Sequence, residues 1–250
     1  MNKHSPLYKE NPEGDGLVVF IHGFMGSPRR FDALADLVYS RGFSAASLLL
    51  PCHGGSAKDF ASGAMDLWQE HVDSEIERFS GDYNRIWLVG HSMGGLLALR
   101  AAARFGGSGM VCGVFTIACP FKLALFSVNA AKARPKMIFY RKNHPIKAAY
   151  ISGNSIRFSL DLLLRIRKPI AELNKLMCST MEILPQISIP VTAVYSRGDE
   201  LVSYKSLEIL KSGLGDASFD QVRLIDSLHD YAPEHERVII EQALLRSLGR

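Results

Sequence analysis

The pentapeptide Gly90-His91-Ser92-Met93-Gly94 is the segment of this 250-residue sequence with the clearest potential for covalent chemistry. It follows an apolar run at residues 85–89 and opens an alanine- and leucine-rich helical stretch at residues 92–105. In a strand–turn–helix setting, the G-x-S-x-G pattern lifts the serine oxygen above a sheet, and both glycines remove Cβ atoms that would collide in the bend. The pattern predicts that Ser92 is a nucleophile, although an ordinary glycine-rich turn would have the same composition.

Two backbone N–H groups are placed to stabilise the oxyanion that forms when a serine attacks a carbonyl. The Met93 N–H lies at the predicted helix N-terminus, where unpaired donors and the helix dipole favour an anion. The second donor of such a site comes from the loop after an early strand. The loop His22-Gly23-Phe24-Met25-Gly26 follows the first predicted strand, so the Phe24 N–H is our candidate. This loop also fits a turn into a helix, with Ser27 as N-cap and Pro28 at the first helical position.

A serine hydroxyl is a weak nucleophile without an adjacent base. Of the eight histidines, His229 lies in a loop between the last predicted strand and the final helix, so we predict that it is the base. In this arrangement, the acid comes between serine and histidine in chain order. Asp199 directly follows a predicted strand and would accept a hydrogen bond from the imidazole Nδ1. Glu200, Asp226 and Asp230 are alternatives, and the segment around Asp199 also fits a polar helix-capping turn.

These residues need a scaffold that brings them to one edge of a sheet. Short, nearly continuous apolar runs alternate with segments of helical period, which is typical of βαβ units and a mostly parallel sheet covered on both faces. The predicted strands are residues 17–21, 44–50, 85–89, 111–118, 189–195 and 221–225, and the predicted helices are residues 28–40, 64–79, 92–105, 202–211 and 233–248. We therefore predict one α/β domain over residues 1–250, with about six to seven strands.

Residues 120–185 interrupt this alternation with helix-like pieces and no convincing strand, which predicts an insertion at the ligand-binding edge of the sheet. Of the chain's 29 basic and 25 acidic residues, 11 basic residues but a single acid, Asp161, lie between residues 121 and 168. The basic residues are Lys122, Lys132, Arg134, Lys136, Arg141, Lys142, Lys147, Arg157, Arg165, Arg167 and Lys168. A functional interpretation is a lid that contacts anionic membrane or that steers an anionic acyl substrate inward. The alternative is a solvated lid whose long basic side chains simply cover the pocket.

Several classes of function are disfavoured by the sequence. It has no run of 18 apolar residues that could span a bilayer, and its first residues lack the apolar core of a secretory signal, so we expect a cytoplasmic protein. The four cysteines show no metal-ligand spacing. The sequence contains no nucleic-acid recognition module, so we expect no nucleic-acid partner.

Five motifs, HGFMGSP, LLPCHGGS, GHSMGG, SRGDELV and SLHDYAP, occur in this order. Together they resemble the bacterial carboxylesterase and monoacylglycerol lipase branch of the α/β-hydrolases, over most of the chain. The resemblance implies an α/β-hydrolase fold with a helical lid, an acyl-enzyme mechanism, and no metal or organic cofactor. It implies the triad Ser92, Asp199 and His229, with Phe24 and Met93 as oxyanion donors.

The sequence departs from this family pattern in three places. Cys52 stands where relatives commonly have glycine, the insertion is unusually long and basic, and about 16 residues precede the first predicted strand. We therefore expect one or both of the opening strands of larger members to be absent. The serine in the turn excludes the dehalogenases and epoxide hydrolases of this fold, which carry an aspartate nucleophile.

We predict a serine hydrolase that cleaves carboxylic esters with a fairly apolar acyl chain. An acyl-thioesterase or a lysophospholipase would use the same triad, and a ligand-binding receptor on a hydrolase fold is the alternative from another class. Peptidase activity is disfavoured, because no acidic site for a peptide amino terminus can be identified. The sequence leaves acyl length, alcohol group and oligomeric state open.

Overall fold

A seven-stranded sheet with the order β1-β3-β2-β4-β5-β6-β7 lies at the centre of the described structure. The structure is a computed structural model that describes residues 4–14, 16–124, 144–156 and 159–249. The strands are β1 (Leu7–Lys9), β2 (Leu17–Ile21), β3 (Ser44–Leu48), β4 (Ile86–His91), β5 (Val111–Ile117), β6 (Val191–Ser196) and β7 (Phe219–Leu224). Only β1 runs antiparallel to its neighbour, so the carboxyl ends of the other described strands meet at one edge.

Helices cover both faces of this sheet. In the described part of the chain they are α1 (Asp32–Ser40), α2 (Ala57–Phe60), α3 (Met65–Phe79), α4 (Met93–Phe105), α5 (Pro145–Gly153), α6 (Leu160–Arg165), α7 (Arg167–Ile183), α8 (Lys205–Gly213) and α9 (Glu234–Ser247). Short 3-10 turns occupy Pro28–Phe31, Gly106–Ser108 and Leu184–Gln186. None of the described helices is long and apolar enough to cross a membrane.

Most of the core in the described part of the chain forms two apolar layers, one on each side of the sheet. One layer joins the sheet to α3, α4, α7 and α8, and the other joins it to α1 and α9. Every residue of β2 and β4 is buried, because these strands lie in the middle of the sheet and are covered on both faces. This is why their sequences are continuous apolar runs instead of alternating ones.

The predicted fold class is confirmed, and the six predicted strands are observed with ends that differ by at most two residues. The strand Leu7–Lys9 was not predicted, because a three-residue edge strand with alternating exposure has no continuous apolar pattern. The predicted helix at residues 28–40 divides into a 3-10 turn and α1. Ser27 caps this turn, since its side chain accepts a hydrogen bond from the Arg29 N–H.

The described parts of the insertion between β5 and β6 contain helices α5, α6 and α7. Six of its predicted basic residues lie outside the described residues: Lys132, Arg134, Lys136, Arg141, Lys142 and Arg157. Two short bridges join the described parts to the main domain, Gly26 with Asn154 and Leu123 with Val202. The insertion is therefore anchored near the loops that follow β2 and β6.

Candidate active site

Ser92 lies in the sharp turn between β4 and α4, with φ of 54° and ψ of −124°. A positive φ is rare for a non-glycine residue, and such strain persists only where the surroundings hold it in place. Two backbone hydrogen bonds hold this turn. The Ser92 N–H donates to the Ile117 carbonyl at 2.8 Å, and the Ser92 carbonyl accepts from the Gly95 N–H at 2.8 Å.

The two glycines of the predicted motif are required by close backbone contacts. A Cβ on Gly90 would lie 2.3 Å from the Gly94 carbonyl oxygen. A Cβ on Gly94 would lie 2.0 Å from the Ile21 carbonyl oxygen at the end of β2. Larger residues would push α4 away from the sheet and lose the turn that presents Ser92.

The loop after β2 packs directly against Ser92. A Cβ on Gly23 would lie 2.8 Å from the Ser92 Cβ, so the backbone of this loop and the serine are in contact. The His22 imidazole holds the loop, because its Nδ1–H donates to the Gly23 carbonyl at 3.0 Å and its Nε2 accepts from the Leu50 N–H at 3.1 Å. Burial lowers the pKa of His22 well below its usual value, which matches the neutral tautomer that these two bonds require.

The two predicted oxyanion donors belong to the two segments that meet at Ser92. Met93 is the first residue of α4, and Phe24 follows Gly23 in the contacting loop. Neither N–H donates a hydrogen bond to any described residue. Two backbone donors near a helix N-terminus are suited to bind an anion.

His229 and Asp199 form a buried pair at the carboxyl edge of the sheet. The His229 Nδ1 lies 3.0 Å from the Asp199 Oδ2. The other carboxylate oxygen, Oδ1, accepts from the N–H groups of Leu201 and Val202, each at 2.8 Å. These bonds hold the carboxylate in place. Because the carboxylate binds Nδ1 of the imidazole, the other ring nitrogen, Nε2, is left available for another partner.

Burial by itself lowers the pKa of His229, but the Asp199 carboxylate outweighs it through charge and a hydrogen bond. Asp230 and Glu200 add smaller contributions in the same direction, and together they raise the pKa of His229 to about 9. The surroundings therefore favour the imidazolium, the species that forms when histidine accepts a proton from a serine hydroxyl.

The backbone of His229 is held on both sides. Its N–H donates to the Glu200 Oε2 at 2.9 Å, and its carbonyl accepts from the His91 Nε2–H at 2.9 Å. The His91 and His229 ring centroids lie 4.8 Å apart. Since His91 directly precedes Ser92 in the chain, this contact joins the nucleophile turn to the loop that carries His229. Sequence reasoning did not predict these contacts of His91 and Glu200, because they join segments that are far apart in the chain.

The alternative acids have other partners. Asp226 lies 3.4 Å from His235, and Asp230 forms an ion pair with Arg30. Glu200 binds the His229 backbone rather than its imidazole, and burial raises the pKa of the Glu200 carboxyl. Of the predicted carboxylates, Asp199 is therefore the one that contacts the His229 ring.

The carboxylate of Glu236 holds the segment that leads to His229. It accepts hydrogen bonds from the N–H groups of Ile225, Asp226 and Ser227, at 2.7, 3.0 and 2.7 Å. These residues lead from β7 into the loop that carries His229. An acid in the first turn of α9 is visible in the sequence, but a helix-capping role would be predicted equally well.

Among the described residues, two groups of side chains bring three potential metal-ligand atoms within 4.8 Å of one another. One is His91, His229 and Asp230, and the other is Asp226, His235 and Glu236. In both groups the side chains already bind protein partners, including Arg30 for Asp230 and three backbone N–H groups for Glu236. We therefore assign no metal to either group.

The insertion contacts both loops of the candidate site. The Ser155 N–H donates to the Met25 carbonyl at 2.9 Å, and Ile156 and Leu162 form an apolar cluster that packs against Phe24. At the other end, the Ala124 N–H donates to the Leu201 carbonyl at 2.8 Å, just after Asp199. The insertion is thus attached to the loop that contains Phe24 and to the loop that contains Asp199.

A sequence model of the alpha/beta hydrolase family matches residues 18–211, which include Ser92 and Asp199. The chain belongs to this family. The hydrolase is 25% identical over 256 residues to the thermostable monoacylglycerol lipase of Bacillus sp. (strain H-257), a match that covers 96% of this chain and 92% of the lipase.

Two further similarities help to place this hydrolase. It is 36% identical over 112 residues to 2-succinyl-6-hydroxy-2,4-cyclohexadiene-1-carboxylate synthase from Shigella sonnei (strain Ss046), which covers 42% of this chain and 39% of the synthase. Its fold also matches a solved structure from work on LipS and LipT, two metagenome-derived lipolytic enzymes, with a TM-score of 0.74 and 18% sequence identity. This match covers 99% of the present chain and 98% of the solved one. The predicted resemblance is confirmed, and the chain is a lipase- or esterase-like hydrolase.

Proposed function

We propose that this protein is a serine carboxylic-ester hydrolase with Ser92, Asp199 and His229 as its triad. The observation that carries the proposal is the strained Ser92 turn joined through His91 to His229, whose imidazole is bound by Asp199 at 3.0 Å. Phe24 and Met93 are the proposed oxyanion donors. Met93 directly follows Ser92 at the helix N-terminus, Phe24 lies in the loop that packs against Ser92, and neither N–H donates to a described residue.

In the proposed reaction, the Ser92 Oγ attacks the ester carbonyl carbon while the His229 Nε2 accepts the hydroxyl proton. The resulting oxyanion is stabilised by the N–H groups of Phe24 and Met93. Collapse of this intermediate breaks the bond to the alcohol, which leaves with the proton from His229. Water then attacks the acyl-enzyme with His229 as base, which releases the acid and restores Ser92.

The proposed substrates are monoacylglycerol-like esters with an apolar acyl chain. The lipase from Bacillus covers nearly all of this chain, and the surroundings of Phe24 favour an apolar group. The Phe24 ring lies edge-to-face with Phe60 and Trp68, at centroid distances of 5.0 and 6.5 Å. Acyl thioesters and lysophospholipids are the competing substrates, and nitrophenyl esters of graded chain length compared with acyl thioesters would rank them.

A fluorophosphonate probe tests the proposed nucleophile directly. We expect the wild type to be labelled, and Ser92→Ala to lose both labelling and esterase activity while it unfolds at a similar temperature. Loss of the hydroxyl removes the attacking atom, whereas the fold relies on the backbone of this turn. An unlabelled, folded wild type would support the alternative of a ligand-binding receptor, and an active Ser92→Ala variant would show that the nucleophile lies elsewhere.

We also propose that the insertion is a lid within a single domain and that it contacts anionic membrane. Its helix α6 exposes three leucines beside three exposed basic residues. The leucines are Leu160, Leu163 and Leu164, exposed by 74, 47 and 73%, and the basic residues are Arg165, Arg167 and Lys168. Apolar side chains next to cations suit the surface of an anionic bilayer, where each cation contributes about 1 kcal/mol.

Co-sedimentation with phosphatidylglycerol and phosphatidylcholine vesicles tests this contact. We expect binding to the anionic vesicles at low salt, and weaker binding for a variant with Leu160→Ser and Leu164→Ser. Leu67→Ser in α3 is a matched control, because Leu67 is 39% exposed but lies outside the insertion. Binding that does not depend on lipid charge, or that the paired substitutions leave unchanged, would contradict the proposal.

A further inference from the structure

A cavity of about 190 Å³ lies between α1 and α9, beneath the loop that carries His229. Apolar side chains from both helices and from the sheet form its floor, including Leu34, Val194 and Ile240. His229 and Asp199 line it as well, but Ser92 is not among the described residues that do. The cavity therefore reaches two members of the proposed triad from the α1 and α9 side of the sheet, apart from the nucleophile.

This cavity opens to the protein surface, and its volume is larger than the voids that ordinary side-chain packing leaves between a sheet and two helices. Protein interiors are packed about as densely as organic crystals, with few voids larger than a water molecule. An apolar cavity of about 150 Å³ in another protein binds benzene. The cavity behind His229 therefore has room for an aromatic ring and a few additional atoms.

The charges around the cavity favour an uncharged ligand. Arg30 pairs with Asp230, so this pair leaves no net charge, and the Asp199 carboxylate is bound by the His229 ring and two backbone N–H groups. Two further charged side chains of opposite sign, Arg237 and Glu241, line the cavity one helical turn apart on α9. A carboxylate or an ammonium ion would lose its hydration in this mainly apolar site, whose charged side chains already have partners or a neighbour of opposite sign.

We propose that this cavity is a second ligand site, which binds a small, uncharged, mainly apolar molecule. The ligand contacts the proposed base and acid but not the nucleophile. Packed behind the imidazole, it restricts the small movement by which His229 passes a proton from Ser92 to the leaving alcohol. Occupancy lowers kcat and leaves KM unchanged.

Indole has the size and polarity that this site requires, and calorimetry measures its binding without any need for turnover. We expect one saturable site in the wild type, and the same site after Ser92 has been labelled with a fluorophosphonate. We also expect indole to lower kcat for a nitrophenyl ester in a saturable manner, with KM unchanged. A protein that cannot be labelled would refute the hydrolase proposal, whereas calorimetry on the unlabelled protein would still test the cavity.

Substitutions that fill the cavity locate the site. Leu34→Trp on α1 should abolish indole binding and make kcat insensitive to indole, whereas Leu37→Trp on the same helix, outside the lining, should change neither. Ile240→Phe on α9 is a second filling variant, which is needed if Leu34→Trp does not fold. Absence of binding, loss of binding after Ser92 labelling, or unchanged binding in a folded filling variant would overturn the proposal.

Discussion

Glu200 provides a sharp test of how His229, the proposed base, is held in place. Its carboxylate is 3% exposed and accepts the His229 N–H at 2.9 Å, while the neighbouring Asp199 binds the His229 ring. Two substitutions separate the hydrogen bond from the charge. Glu200→Ala removes both, whereas Glu200→Gln removes the charge but keeps an oxygen that can accept the same hydrogen bond.

The expected magnitudes follow from this contact. Glu200→Ala leaves the His229 N–H buried without an acceptor, which costs roughly 1–3 kcal/mol. If the loop that carries His229 loses that much restraint in the transition state, kcat falls roughly 5- to 150-fold, since about 1.4 kcal/mol corresponds to a factor of ten. Glu200→Gln keeps the restraint, so its kcat should remain close to that of the wild type.

The pH profile gives a second, independent readout. The charge of Glu200 contributes to the raised pKa of His229, after the larger contributions of Asp199 and Asp230. Glu200→Gln should therefore move the acidic limb of kcat/KM to lower pH without a loss of kcat. Steady-state kinetics on a nitrophenyl ester across pH would measure both parameters, and thermal unfolding would show whether each variant is folded.

The reasoning would be refuted if Glu200→Ala were folded and as active as the wild type. It would also be refuted if Glu200→Gln lost as much kcat as Glu200→Ala, because the charge and not the hydrogen bond would then matter. A rise in KM with unchanged kcat would place Glu200 in substrate binding instead.

Two further predictions concern the base and the nucleophile turn. A base must be neutral to accept a proton, so a pKa raised to about 9 predicts that kcat/KM rises with pH through the neutral and alkaline range as His229 loses its proton. Asp199→Asn should shift this limb to lower pH and reduce kcat by roughly 10⁴-fold, and a wild-type limb near pH 6 would contradict the raised pKa. Gly23→Ala should slow fluorophosphonate labelling severely, because the new Cβ would lie 2.8 Å from the Ser92 Cβ. Gly107→Ala is the matched control, since its Cβ would meet nothing within 4 Å, and equal labelling of the two variants would exclude the close contact.

Much of the fold could be predicted because its strongest signals are local in the chain. The strands β2 and β4 are buried on both faces. Such strands need apolar side chains on both faces, so a continuous apolar run in the sequence predicts them. The edge strand β1 pairs on one side only, and its three residues leave no such signal. The break in the alternation of strands and helices predicts the insertion. It does not predict which leucines of α6 are exposed, because exposure depends on how the helix packs against the domain.

The sequence by itself determined the strand–turn–helix around Ser92, because a bend this tight needs glycines at fixed positions beside the serine. It also limited the acid to four carboxylates. Only the tertiary structure decided that Asp199 contacts the His229 ring while Glu200 binds its backbone. These side chains are neighbours in the chain, and the direction each one takes depends on how the loops after β6 and β7 meet. The contact between His91 and His229 and the cavity behind them have the same origin, since both arise from packing between distant segments.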